Sequence, residues 1–205
     1  MTSLAWQPFS AIGAEGTSYT VTRPYQSSPL TTGLNLNYYR VAMRNVEAGR
    51  TLSGPSLTLE VEWHPFSDLW GKPAIGTTFG YQNIALQDQA RQVLHLMPVG
   101  LFASYRFDYL HRQWLVPYVK AGGLATFYQS SGGGRVQNVT QWTYGAGVAV
   151  SLGAVDTYSA RHMDSGLGIN DFQLTVEYMK TEAMDRGQRP DLAHDEFRFG
   201  IRFEI

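Results

Sequence analysis

Glu196-Phe197-Arg198-Phe199-Gly200-Ile201-Arg202-Phe203-Glu204-Ile205, the last ten residues of the 205-residue sequence, decide how the chain is read. Successive side chains of a β-strand point to opposite sides. Phe197, Phe199, Ile201, Phe203 and Ile205 therefore share one face, and Glu196, Arg198, Gly200, Arg202 and Glu204 share the other. One face is wholly apolar, and the other carries charges of both signs.

The same alternation returns upstream. Leu57, Leu59, Val61 and Trp63 alternate with Thr58, Glu60, Glu62 and His64, and Val99, Leu101, Ala103, Tyr105, Phe107 and Tyr109 with Gly100, Phe102, Ser104, Arg106 and Asp108. Trp142, Tyr144, Ala146, Val148, Val150 and Leu152 oppose Gln141, Thr143, Gly145, Gly147, Ala149 and Ser151, and Phe172, Leu174, Val176 and Tyr178 oppose Asp171, Gln173, Thr175 and Glu177. Counted between turn signals, eight strands are expected, over about 33 to 43, 56 to 66, 73 to 84, 92 to 109, 115 to 129, 139 to 153, 170 to 182 and 196 to 205. The fifth, with Lys120 among glycines and alanines, does not declare its polar face. Residues 1 to 32, broken by Pro8, Pro24 and Pro29, read as a mostly irregular extension with one short strand at Thr17 to Thr22.

Composition narrows the class. A net charge of -1 gives no sign of a nucleic-acid partner, and the absence of cysteine removes disulfides, thiolate metal sites and thiol nucleophiles. No apolar run reaches the roughly 18 residues of a membrane-spanning helix. The opening Met1-Thr2-Ser3-Leu4-Ala5-Trp6 has neither the basic nor the apolar region of a signal peptide, so an exported protein implies a mature chain whose leader lies outside this numbering.

Alternation alone does not separate a membrane barrel from a soluble one, whose apolar face turns inward. Three features favour lipid. The strands reach the roughly 9 to 11 residues that cross a bilayer at a tilt. Trp63, Tyr105, Phe107, Tyr109, Trp142, Tyr144 and Tyr178 gather near strand ends, where interfacial girdles sit. The polar face holds Glu60, Glu62, Arg106, Asp108, Lys120, Glu177, Arg198, Arg202 and Glu204, mixed in sign and able to neutralise one another. An eight-stranded barrel is only wide enough for side chains to fill, and buried ions must pair. The expectation is an all-β, eight-stranded antiparallel up-and-down transmembrane β-barrel over residues 33–205. The barrel-closing strand carries Phe197, Phe199, Ile201 and Phe203 towards lipid. An even strand count puts both ends of the barrel on the periplasmic side. Connections 44 to 55, 85 to 91, 130 to 138 and 183 to 195 are then expected outside, and 67 to 72, 110 to 114 and 154 to 169 inside.

The phrases "SYRFDYLHRQWLVPYVKAGG" (104 to 123), "WTYGAGVAVSLG" (142 to 153), "ARHMDSGLGIN" (160 to 170) and "FQLTVEYM" (172 to 179) resemble the small outer-membrane β-barrel proteins of myxobacteria and related delta-proteobacteria. The resemblance covers roughly residues 56 to 205, and the closing strand resembles that of outer-membrane barrels generally. It implies an eight-stranded barrel in the bacterial outer membrane and no particular reaction.

Chemistry is weighed against this frame. A lipid A deacylase-like site needs His, Ser and a carboxylate at the outer rim. Its candidates are His95, His194 with Asp195 or Glu196, and Ser130 or Ser131, without a His-x-Ser motif. The five histidines, His64, His95, His111, His162 and His194, lack metal-ligand spacing. Asp185, Asp191, Asp195 and Glu196 lack the spacing of a calcium loop, and Gly132-Gly133-Gly134 is a flexible tip without the Lys of a phosphate cradle. No metal and no cofactor is expected. Inward Gly145, Gly147 and Gly200 are expected to leave small water pockets, with at most a narrow ion path. The expected role is structural: an anchor or scaffold contacting outer-membrane lipid and lipopolysaccharide. A periplasmic or membrane partner would dock on residues 1 to 32 and the turn 154 to 169, where Arg161 and Asp164 clamp the rim.

Overall fold

The structure, a computed structural model, describes residues 10–12, 18–20, 31–45, 50–65, 71–85, 93–109, 113–131, 135–152, 169, 171–184 and 192–205. Two short strands, β1 (Ser10–Ile12) and β2 (Ser18–Thr20), pair in an antiparallel sheet of their own. The other eight are β3 (Thr31–Asn45), β4 (Arg50–His64), β5 (Lys72–Ala85), β6 (Val93–Arg106), β7 (Leu115–Ser130), β8 (Gln137–Ser151), β9 (Asp171–Ala183) and β10 (His194–Glu204). They close in the order β10-β3-β4-β5-β6-β7-β8-β9, each antiparallel to its neighbours. The expected eight-stranded up-and-down barrel is the fold of this chain.

The seam joins β10 to β3, with Phe199 opposite Tyr38, Ile201 opposite Leu36 and Phe203 opposite Leu34. Thr32 and Ile205 finish it by exchanging backbone hydrogen bonds of 3.0 and 2.9 Å. The starts of β3, β5, β7 and β9 and the ends of β4, β6, β8 and β10 mark one end of the barrel, the turn end; the opposite, loop end carries the other four connections.

Several boundaries differ from the sequence expectation. The outer connection expected at 44 to 55 is mostly strand, because β3 and β4 stay paired out to Asn45 and Arg50. Gly54 and Pro55 look like a turn signal, yet the β4–β5 ladder begins only at Ser56, so proline's missing N–H interrupts nothing on that side. Thr31 and Thr32 belong to β3 and not to the extension. At the turn end β6 stops at Arg106, leaving Phe107, Asp108 and Tyr109 in the connection. Gln113 shapes that connection: its amide donates to the Phe107 and Leu115 carbonyls, each at 2.8 Å, and accepts from Tyr109 N–H at 3.1 Å. Before β5, Gly71 adopts φ 75°, and a Cβ there would strike the Tyr105 hydroxyl and the Arg106 carbonyl.

Polarity is inside out at the turn end and through the middle. Leu101 (69 % exposed), Phe197 (62 %) and Phe199 (60 %) point outward, whereas Glu60, Glu62 and Glu177 are fully buried in the lumen. Lys120 is buried with them, which fixes the face of β7 that the sequence left open. Towards the loop end the pattern reverses. Outward Tyr38 gives way to Arg40, Tyr81 to Asn83, Met97 to His95, Phe127 to Gln129 and Phe197 to Asp195. Inward, at the same level, stand Val41, Ile84, Leu96 and Val139. Strands of up to 16 residues exceed what a bilayer requires, so their loop-side ends need a greasy interior and a wet exterior.

Candidate functional site

The lumen at bilayer depth is where chemistry-bearing side chains converge, because each inward strand position faces seven other strands across a narrow barrel. Lys120 Nζ on β7 lies 2.7 Å from Glu60 on β4 and 3.1 Å from Glu177 on β9. Asn35 of β3 donates to both carboxylates, at 3.2 and 3.4 Å. Arg198 of β10 reaches Glu60 at 3.2 Å through Nη1 and Glu196 at 2.6 Å through Nε. Its guanidinium also stacks over Tyr39, 4.8 Å from the ring centroid, and the Lys120 ammonium sits 4.9 Å over Phe102.

A second group lies nearer the turn end. Arg202 pairs with Glu62 and donates to His64 Nε2 at 2.9 Å. Arg106 pairs with Glu204 and donates to Gln173 at 2.6 Å, and Gln173 in turn donates to Asp171 at 2.6 Å. At the rim, Lys72 bridges Asp108 (3.3 Å) and Glu204 (3.8 Å). Among the described residues five of the buried ions are carboxylates, Glu60, Glu62, Glu177, Glu196 and Glu204, and four are cations, Arg106, Lys120, Arg198 and Arg202. Each has an opposite partner within salt-bridge distance, and that attraction offsets part of the desolvation cost of several kcal/mol per ion.

Eight of the nine lumen residues expected from sequence are buried in this network. Asp108 is the exception: β6 ends before it, and its carboxylate is a quarter exposed at the rim. Sequence reasoning left His64, Asn35, Gln173 and His194 out of the network. All four sit on the inward parity of their strands, and His194 lies in the part of β10 that precedes the expected start at Glu196. The inward glycines are also corrected. Gly147 is covered by the Tyr118 ring, Gly145 by Met179, and Gly200 by the Asn37, Asn35 and Thr175 side chains, so they admit close neighbours instead of leaving water pockets.

Above the ions sits an apolar stopper. Tyr39, Val41, Ile84, Leu96 and Val139 pack with Leu192, a residue of the connection between β9 and β10. The Leu192 carbonyl accepts from Gln141 Nε2 at 3.0 Å and from His194 Nδ1 at 2.7 Å. Between stopper and ions a small cavity of about 10 Å³ remains, lined by Tyr39, Gln82, Gln141, His194 and Arg198.

The expected girdle residues divide by height. Trp63 and Tyr109 are exposed at the turn end, where Tyr105, Phe107 and Tyr109 stack edge to face at 5.2 and 6.0 Å. Trp142, Tyr144 and Tyr178 are exposed towards the loop end, with Tyr178 against Phe197 at 5.1 Å. The hydrolase candidates are divided by the barrel wall. His95 Nδ1 lies on the outer side, 2.7 Å from Asn83 Oδ1 and 2.9 Å from the Tyr81 hydroxyl. His194 points inward to Glu196. Ser131 Oγ accepts from Val93 N–H at 2.9 Å. Among the described residues no cluster of three or more His, Asp or Glu side chains is arranged to hold a metal ion. Arg161, Asp164, Asp185, Asp191 and Gly132 to Gly134 lie outside the described residues.

No family model and no curated protein matches the sequence. Among solved structures the fold is similar to Neisserial surface protein A (TM-score 0.52, 12 % identity, covering 87 % of this chain and 97 % of that one). It is also similar to Ail, the attachment invasion locus protein of Yersinia pestis (TM-score 0.50, 11 % identity, covering 87 % of this chain and all of the other). At such identities the likeness is one of fold: a closed eight-stranded barrel of the kind found in outer-membrane proteins.

Proposed function

We propose that this chain is an integral protein of the bacterial outer membrane that serves as an anchor or scaffold, presenting its loop end outside and its turn end to the periplasm, with a lumen that is filled and does not conduct. The observation that carries the reading is the filled interior: paired ions at bilayer depth, stoppered by Leu192 and its apolar neighbours. A lumen built for transport would need an uninterrupted hydrated path. The outward belt of Leu, Val, Phe and aromatic side chains supports a lipid contact, and the switch to Arg40, Asn83, His95 and Asp195 supports a headgroup boundary beneath the loops.

The sequence phrases quoted above support kinship with the small barrels of myxobacteria and related delta-proteobacteria. Residues 1 to 32 and 154 to 169 are the segments proposed to meet a periplasmic or membrane partner, and lipopolysaccharide is the proposed outer-leaflet contact. The test is reconstitution of the refolded full chain into planar bilayers at neutral pH. Silence at voltages that open porins is expected, and a persistent, ion-selective conductance would overturn the sealed-lumen reading. An epitope placed in the connection 132–134 should be reached by antibody on intact cells; access only after lysis would overturn the orientation.

A further inference from the structure

His194 is the hinge between the ionic network and the stopper, and its two ring nitrogens face two acceptors. Nδ1 lies 2.7 Å from the Leu192 carbonyl oxygen, which has no proton to give. Nε2 lies 3.2 Å from Glu196 Oε2, whose carboxylate is paired through its other oxygen with Arg198 and is therefore ionised. A neutral imidazole has one N–H and would turn a lone pair on one of these oxygens; only the imidazolium donates to both. Charge counting agrees. The loop-side group holds three carboxylates, Glu60 on β4, Glu177 on β9 and Glu196 on β10, against two cations, Lys120 on β7 and Arg198 on β10. An imidazolium at His194 is the third cation. Apart from Arg198, the groups that line the cavity with His194 are uncharged, among them Tyr39 from β3, Gln82 from β5, Pro98 from β6 and Gln141 from β8.

We propose that His194 is a protonation-operated latch: charged, it ties the Leu192 carbonyl to Glu196 and holds the stopper in the loop-side mouth; neutral, it has one N–H for two acceptors, so one of the two ties is lost and the stopper is held more loosely. This rests on the sealed-lumen reading and adds to it a condition under which the outer seal loosens. Sealing belongs to acid and neutral pH and is lost as pH rises through the titration of this imidazole. The ionic plug below is not part of the latch, so the opening admits solutes to the loop-side half of the lumen without making a through-pore.

Two measurements on the refolded full chain test it. Ring ¹⁵N resonances of His194, assigned with the His194→Gln variant, should show both nitrogens protonated at neutral pH; a single protonated nitrogen there would overturn the latch. The chain has no cysteine, so Thr181→Cys, at a buried position of β9 that lines the cavity beneath the stopper, is a unique reporter for a membrane-impermeant maleimide, and its labelling rate divided by that of exposed Ser131→Cys removes the thiol's own pH dependence. That ratio should rise on the order of tenfold as the imidazole titrates, the scale of one charged hydrogen bond. It should stay low throughout in a His194→Arg background, stay high in His194→Leu, which has no N–H to offer, and lose its pH dependence in His194→Gln. A ratio that stays flat through the titration, or a His194→Gln background that keeps the wild-type profile, would sink the proposal. Conductance at neutral pH would instead strike the sealed-lumen reading, so the two failures are separable.

Discussion

The two halves of the barrel are built on opposite rules. Around Lys120, Glu60 and Arg202 the exterior is apolar and the interior ionic, whereas around Val41, Ile84 and Leu96 the interior is apolar and the exterior carries Arg40, Asn83 and His95. Both halves belong to the same continuous strands, so the difference is not one of secondary structure. It follows from the surrounding solvent. Where lipid surrounds the wall, apolar groups gain nothing from turning inward and the lumen can be given over to paired charge; where water surrounds it, the ordinary hydrophobic drive fills the interior. On the proposed membrane reading, the barrel is built for lipid along most of its height and for water at its loop-side crown.

That contrast predicts how each half fails. Lys120→Met leaves Glu60 and Glu177 facing each other without their shared cation, and the expected loss is about 3–5 kcal/mol of folding stability. The urea midpoint of the detergent-refolded protein, read from its heat-modifiable band shift, measures it. Removing Glu177 as well, in Lys120→Met with Glu177→Met, should recover most of that loss, because Glu60 keeps Arg198 at 3.2 Å. A double variant as unstable as the single one would mean that the ions act as a rigid whole. In the crown, Leu96→Ala should cost about 2–5 kcal/mol by opening a cavity in a packed apolar cluster. It should do so without altering membrane insertion, as sedimentation with liposomes would show.

How much of this was open to reading in the sequence follows the same division. The strands through Glu60–Glu62, Arg106, Glu177 and Arg198–Glu204 alternate strictly because lipid and lumen impose opposite demands on adjacent residues, and that period betrays strand, face and partner type together. Lys120 was harder, since the small residues Ala121, Gly122 and Gly123 that follow it blur the contrast; only its contacts with Glu60 and Glu177 across the lumen fix its face. The crown stayed hidden because its alternation runs in antiphase: Val41 after Arg40 and Ile84 after Asn83 look like a strand ending, not a strand whose surroundings have changed. Leu192 had no periodic signal at all, being a loop residue recruited by packing. Asp108 was misplaced for the converse reason, its parity continuing one step beyond the point where β6 stops pairing.

The comparison can be sharpened with one cationic substitution placed at two heights on the outer wall. Phe199→Arg lies on the apolar belt, opposite Val176 and Tyr38, and a charge exposed to hydrocarbon there should cost about 2–4 kcal/mol. Asn83→Arg has the same outward parity, two residues beyond Tyr81 on the loop side, and should cost about 0–1 kcal/mol, as expected near the interface where an arginine finds water and phosphate. The ratio of the two, measured by the same urea titration in phospholipid vesicles, locates the lipid boundary on the barrel independently of the aromatic girdle. If both substitutions cost the same, the reversal of polarity along these strands does not coincide with the edge of the bilayer. The crown would then have to be explained by packing alone, with Arg40, Asn83 and Asp195 reaching past a lipid surface that continues up to the loops.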